Sequence, residues 1–357
     1  MKITDIKYEV AWTKQKYPFR IAFATFEYSP AVFIKLTTDA GIVGYGEANP
    51  FAPVTGEDEN TVVNALKVFT PGIIGADPFD IQGIHAVMDR CLYGNASAKC
   101  GIDIALYDIM SKAAGQPLYK FLGSTNNRVV TDVTIGIDVP EKMLERAKDW
   151  VSRGFRILKV KTGIDPKDDL EALRLMHEAF GDSVLIRIDG NQGYSAASAL
   201  AAIPCMAELG VKAFEQPLPA WDIDGMARVR ARAGNVQIMA DESLHSPHDA
   251  LRICQAGAAD ILNIKLMKCG GLYPAQKINA IGEAFGINCM VGCMMDTKVA
   301  ISAALALVAA NTNITEADCD GFLLIDDQGK ELRGGFTYEG CDITLSDAPG
   351  LGIEIDM

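Results

Sequence analysis

Three acids in the middle of the chain, Asp189, Glu215 and Asp241, stand 26 residues apart in each step. Each closes a short apolar run: VLIRID, KAFE and QIMAD. In a chain that alternates strand and helix, a step of that size is one β/α unit, so the three acids fall at the same end of adjacent strands. Oxygen donors with no His or Cys among them suit Mg²⁺, which prefers octahedral oxygen coordination and keeps places for substrate and water; zinc prefers nitrogen or sulfur. Read singly, each acid serves equally well as a helix N-cap after a strand. Three in register are not explained that way. Lysines carry the complementary half: Lys159 and Lys161 lie two apart in ILKVK, so both side chains share one face of a strand, and Lys265 ends DILNIK several units later. Lysines on opposite walls of a metal site can take a proton from one face of a carbon and return one to the other, provided burial and neighbouring cations lower a lysine pKa enough to make it a base. The plainer reading is that they only pair with the acids. Asp318-Cys319-Asp320 adds two more acids at the end of the last apolar run.

These residues need a scaffold, and the chain supplies a repetitive one. Eight strand candidates follow one another: 129–137, 156–161, 184–189, 212–215, 237–241, 260–265, 287–292 and 314–320. Amphipathic helices separate them, with starts such as Asp165-Pro166 and Ser246-Pro247. Continuous apolar strands imply burial on both faces, and eight units point to a parallel α/β barrel. Residues 1–125 differ, with strands at 3–10, 32–38 and 44–47 before helices at 58–69, 78–90 and 96–114, an α+β capping unit. Loops 17–25 and 49–56 are candidate mobile lids. The barrel is expected over 126–320; residues 321–357, with Gly-rich turns, short strands and no further helix, are expected to return to the N-terminal unit.

Composition excludes several classes. With 49% hydrophobic and 22% charged residues the chain can bury a core, and its net charge of −13 repels nucleic acid and anionic membrane surfaces. The longest apolar stretch, Val299 to Ala310, is too short to span a bilayer. MKITDIKYEV alternates at period two and reads as a strand, not a signal peptide, and nine cysteines, an odd number without C-x-x-C, suggest free thiols in a reducing compartment; a cytoplasmic location is expected. P-loop, dinucleotide fingerprint and G-x-S-x-G elbow are absent. A non-catalytic binding protein would have no reason to set lysines on both sides of a metal site.

KVK, RIDGNQGY, FEQP, MADES and NIKLMKCGG, in that order and spacing, together with GYGEA and YGNASAK, resemble the enolase superfamily and its muconate-lactonizing-enzyme subgroup. The resemblance covers essentially the whole chain. It implies a modified (β/α)₇β barrel under a capping domain built from both termini, one Mg²⁺ per subunit held by Asp189, Glu215 and Asp241, and removal of a proton α to a substrate carboxylate. Homo-oligomers are common among such proteins. Asp318-x-Asp320 is similar to the pair with which dipeptide epimerases, the L-Ala-D/L-Glu type among them, hold an α-ammonium. What this implies is a dipeptide substrate, Lys161 and Lys265 as the acid and base pair, and Lys159 beside the carboxylate. The alternative within the subgroup is o-succinylbenzoate synthase or another cycloisomerase, whose substrates have no ammonium for the two acids.

Two departures bear on specificity. Asp296 stands where relatives usually have Glu, so its contact with substrate would be shortened by one methylene. Where Ala-Glu epimerases carry an Arg for the γ-carboxylate, this chain has Ala24, and Arg20 is the nearest substitute charge. Phe19, Phe23, Phe26 and Phe51 make the candidate lids apolar, which favours a hydrophobic C-terminal residue.

Overall fold

Alternating polar and apolar residues build a long antiparallel hairpin, β1 (Ile3–Ile21) and β2 (Ala24–Thr38), continued by β3 (Val43–Ala48) in a computed structural model that describes all 357 residues. Helices Glu59–Ile73, Ile81–Cys91 and Ala96–Ala113 pack on this sheet, burying Val32, Ile34 and Leu36 with Leu66, Phe69 and Ile102. The third helix is buried from Ser97 to Ser111, because the sheet covers one side of it and the barrel the other. Glycine is required where β3 approaches it: a Cβ at Gly46 would lie 1.9 Å from the Gly101 carbonyl oxygen. Backbone meets backbone there and neither can yield, so Gly46→Ala is expected to cost about 3 kcal/mol, read as a lower urea midpoint.

After β4 (Arg128–Val130), eight parallel strands follow in chain order: β5 (Val133–Ile135), β6 (Ile157–Lys161), β7 (Leu185–Asp189), β8 (Val211–Glu215), β9 (Gln237–Ala240), β10 (Ile261–Lys265), β11 (Asn288–Gly292) and β12 (Ile314–Asp318). Helices from Pro140–Ser152 to Lys298–Ala310 connect them, and the side chains of Asp165 and Ser246 cap two of these ahead of Pro166 and Pro247. Leu158, Val160, Ile186, Ile188, Ile238 and Ile264 face the helices and form the main core. This is an α/β barrel with an antiparallel cap. The chain then runs through β13 (Ile325–Asp327), β14 (Leu332–Gly334), β15 (Phe336–Glu339), β16 (Asp342–Leu345) and β17 (Ile353–Ile355). Of these, β13 pairs with β1, β14 with β17, and β16 with both β15 and β4. No helix is long and apolar enough to cross a membrane.

Four local expectations are corrected. The run 129–137 breaks at Thr131-Asp132, and β4 joins β16 and not the barrel, because Thr131 accepts a bond from the Cys319 amide and Asp132 pairs with Arg187. The last barrel strand stops at Asp318, and Asp320 follows it in helical backbone at φ −102°, so the two acids converge without sharing a strand face. Residues 17–25 are mostly strand, since Phe19, Arg20 and Ile21 pair with Phe26, Thr25 and Ala24 across the hairpin. One helical turn, Gly321–Leu324, follows residue 320 where none was expected.

β5 and β12 share no ladder. Their seam is bridged by side chains: Asp320 Oδ2 accepts from the Thr134 amide at 2.6 Å, and Thr131 Oγ1 from that of Cys319 at 2.9 Å.

Candidate active site

Strand alternation places charge inside this barrel. At the carboxyl ends, Lys161, Asp189, Glu215, Lys265 and Asp318 point inward, with Asp241 directly after β9. Two residues earlier on the same faces stand Lys159, Arg187, Asn263 and Glu316. The intervening apolar residues face out. All nine side chains proposed from the sequence, Lys159, Lys161, Lys265, Asp189, Glu215, Asp241, Asp296, Asp318 and Asp320, are buried.

The acids of β7, β8 and the end of β9 converge. One carboxylate oxygen from each of Asp189, Glu215 and Asp241 lies within 4.8 Å of the others. Lys161 Nζ is 2.6 Å from Asp189 Oδ2, and Lys265 Nζ, four strands away, is 2.8 Å from Asp241 Oδ2. Lys159 Nζ lies between the triad and the strand-end pair, 3.2 Å from Asp189, 2.9 Å from Glu215 and 2.7 Å from Asp318. The two lysines of β6 and β10 therefore flank the acids from opposite walls. Asp318 and Asp320 form a second cluster with Asp132.

Burial and charge set the protonation of this site. Burial alone would raise the Asp189 and Asp241 carboxyls, but Lys161 and Lys159 hold the first below the usual range, and Lys265 and Lys268 hold the second well below it. Glu215 is raised, by burial and by Asp189. Burial would lower Lys265, yet Asp241 outweighs it and keeps the ammonium charged beyond the ordinary lysine range. At Lys265 the ion pair with Asp241 thus reverses the lowering that burial alone would give. Asp320 is pushed up to about 6 by burial and by Asp318.

Several functional side chains escaped the sequence reading. Lys268, fully buried on the one-turn helix Leu266–Cys269, reaches the carboxylate and carbonyl of Asp241. Its charge within the apolar NIKLMKCGG run was the available signal. Arg187 crosses the interior to Asp132 Oδ2 at 2.6 Å and to Glu316, and its spacing of two from Asp189 already put it inside. Asn263 Nδ2 donates to Glu215 at 2.9 Å, and Asn191 Nδ2 to Glu242 at 3.1 Å.

The cap closes the mouth. Glu47 of GYGEA accepts from the Thr297 amide and hydroxyl and the Ala300 amide, so β3 caps the helix Lys298–Ala310. Asp296 is buried beside it, behind a lining of Cys293, Met294 and Met295, and burial and Glu47 raise its carboxyl. The 49–56 segment is anchored: Asn49 Nδ2 donates to the carbonyls of Pro30 and Met295, and Ala52–Thr55 is helical. Phe19, Phe23, Phe26 and Phe51 line the chamber above the charged floor, whereas Arg20 alternates outward and is exposed. Arg20 is therefore no substitute charge within the chamber.

Buried oxygens of Glu242 and Asn191, both in the chamber wall, have no partner, and the neighbouring triad offers only carboxylate donors. That donor set fits a hard divalent cation such as Mg²⁺ and not zinc.

The comparisons with known proteins agree with this architecture over its length. Residues 2–123 match the mandelate racemase / muconate lactonizing enzyme N-terminal domain, and residues 142–357 match the enolase C-terminal domain-like family. The chain is 40% identical to the L-Ala-D/L-Glu epimerase of Clostridium acetobutylicum over 95% of each chain, and 39% identical to the hydrophobic dipeptide epimerase of Enterococcus faecalis over 99% of each. It superposes with a TM-score of 0.96 on the crystal structure of a dipeptide epimerase from Enterococcus faecalis complexed with Mg and the dipeptide L-Leu-L-Tyr, at 39% identity over 99% of this chain and 100% of that one. The chain belongs to the mandelate racemase/muconate lactonizing enzyme family of the enolase superfamily, alongside its dipeptide epimerases.

Proposed function

We propose that this protein is a Mg²⁺-dependent epimerase that inverts the α-carbon of the C-terminal residue of an L,L-dipeptide. The observation that carries the reading is the placement of Lys161 and Lys265 on opposite walls of one carboxylate triad, with a second acid pair beside them. Asp189, Glu215 and Asp241 would hold one Mg²⁺, which when bound supplies positive charge for the substrate carboxylate and for the negative charge that develops next to it. Lys159, between the triad and Asp318, adds a fixed cation toward the same carboxylate. The α-hydrogen leaves as a proton to the lysine on its face, its electron pair delocalises into the carboxylate, and the opposite lysine returns a proton to the other face. In the reverse direction the lysines exchange roles. Asp318 and Asp320 would accept hydrogen bonds from the substrate's α-ammonium. Asp296 fits a supporting place behind the methionine wall.

With a cycloisomerase substrate, which brings no ammonium, Asp318 would have Lys159 as its ion-pair partner and Asp320 would have none, only the Thr134 amide and the Cys293 thiol, which disfavours that alternative. Incubation with Mg²⁺, D₂O and a pooled set of L,L-dipeptides tests the reading. Deuterium is expected at the C-terminal α-carbon; no uptake with any dipeptide by folded, metal-replete protein would discredit it and favour o-succinylbenzoate synthesis.

The same reading carries a pH dependence. Asp320 faces Asp318, Asp132, Lys159, the Cys293 thiol and the Thr134 amide, and its pKa is raised from the usual carboxyl value to about 6. Only the ionised form holds an ammonium, so kcat/KM for a zwitterionic dipeptide is expected to rise as pH passes upward through about 6. In a rate profile from about pH 5 to 8, Asp320→Asn should lose that limb along with most activity. A parent profile flat across that range would contradict the role.

A further inference from the structure

The chamber above the reacting carbon has a chemistry of its own. Its charged lining, Lys159, Lys161, Lys265, Asp241, Glu242, Asp318 and Asp320, all sits on the floor and is committed to the acid clusters or lies beside them. Above that floor the wall carries no charge and is mostly aromatic and aliphatic, with Ser29 and Asn49 as its polar members, the Asn49 side-chain nitrogen being engaged by the Pro30 and Met295 carbonyls. Phe26 bridges the hairpin and the 49–56 segment, with ring centroids 5.6 Å from Phe19 and 5.5 Å from Phe51, and Phe23 stacks on Phe51 at 6.3 Å near the mouth. Arg20, the one cation of the hairpin tip, points to solvent while its carbonyl accepts from the Ile137 amide.

Resting on the epimerase reading above, we infer that the residue inverted carries an uncharged aliphatic or aromatic side chain, and that Phe26 and Phe51 set this preference. A carbon between Lys161 and Lys265, with its carboxylate directed to the triad, sends its side chain up into this aromatic roof. A carboxylate or ammonium there would lose its water and find no opposite charge, the costliest kind of burial. A branched or aromatic group instead gains contact with four phenyl rings. The hydrogen-bonded hairpin holds Phe19 and Phe26 in register, so that half of the roof is part of the folded sheet.

The test compares kcat/KM by deuterium exchange for L-Ala-L-Leu, L-Ala-L-Phe, L-Ala-L-Tyr, L-Ala-L-Glu and L-Ala-L-Lys at saturating Mg²⁺. The best apolar substrate is expected to exceed both charged ones by at least about tenfold. A smaller preference, or a charged substrate in the lead, overturns the inference and leaves the epimerase reading standing. No exchange with any of the five overturns both. Phe26→Arg brings a cation into the roof and is expected to raise activity on L-Ala-L-Glu relative to L-Ala-L-Leu by at least about tenfold; Phe51→Arg makes the same test from the 49–56 segment should the first variant fold poorly. Unchanged selectivity in a folded variant removes these phenylalanines from the specificity role.

Discussion

Lys265→Met is expected to abolish inversion while leaving one-sided hydrogen exchange intact. The lysines of β6 and β10 stand four strands apart and pair with different acids, Lys161 with Asp189 and Lys265 with Asp241, so neither can reach across to replace the other. Removing one should lower epimerisation by at least about 10³-fold, the upper part of what a positioned acid or base contributes. On the two-base proposal the surviving lysine would still face the α-hydrogen of one epimer. Of Lys265→Met and Lys161→Met, one should thus wash deuterium into the L,L isomer alone and the other into the L,D isomer alone, as read by NMR of each isomer in D₂O. Which lysine serves which epimer follows directly from that pattern. Wild-type epimerisation by either variant would sink the two-base assignment.

The second large effect concerns stability. Arg187 lies inside the barrel, bonded to Asp132 at 2.6 Å, to Glu316, and to the Ala317 carbonyl at 3.4 Å. Its Nε and Asp132 Oδ1 have no partner, so the network has nothing in reserve. Arg187→Met removes the cation bonded to Asp132 and leaves that acid, whose carboxyl burial and Asp318 already push up, with only the more distant Lys159 to offset its charge, a change expected to cost about 3–5 kcal/mol. Urea unfolding measures it, and adding Asp132→Asn should recover part of the loss by removing the stranded charge. An Arg187→Met protein as stable as its parent would show that the network does not hold the barrel together.

Much of this site was legible before any coordinates. Asp189, Glu215 and Asp241 could be grouped because a regular β/α period turns sequence spacing into spatial register, and Lys159 and Lys161 because strand periodicity is two. The same rule could have assigned Arg187, which shares its face with Asp189. Lys268 depends on a helical turn after β10, where the period changes within four residues, and Asp132 on a break between two strands; local pattern carries little about either. The outward turn of Arg20 was set by pairing across the β1–β2 hairpin, a long-range match that reading one strand at a time does not reveal. Asp320 converges on Asp318 through backbone that has left the strand, so the acid pair was found for a reason the fold does not use.

Elsewhere the barrel is sewn by main-chain ladders, but its last junction depends on a side chain that also serves the proposed ammonium site. Asp320 accepts from the Thr134 amide with Oδ2 and from the Cys293 thiol with Oδ1, and it lies in one cluster with Asp318. The amide of Thr134 is thereby a built-in spectroscopic reporter. Neutralising Asp320 by acid weakens the bond it accepts, so the ¹⁵N–¹H resonance of Thr134 should move upfield with a midpoint near pH 6, and dipeptide binding should shift it at constant pH. An observer following that one resonance would read occupancy of the acid pair from the joint that closes the barrel.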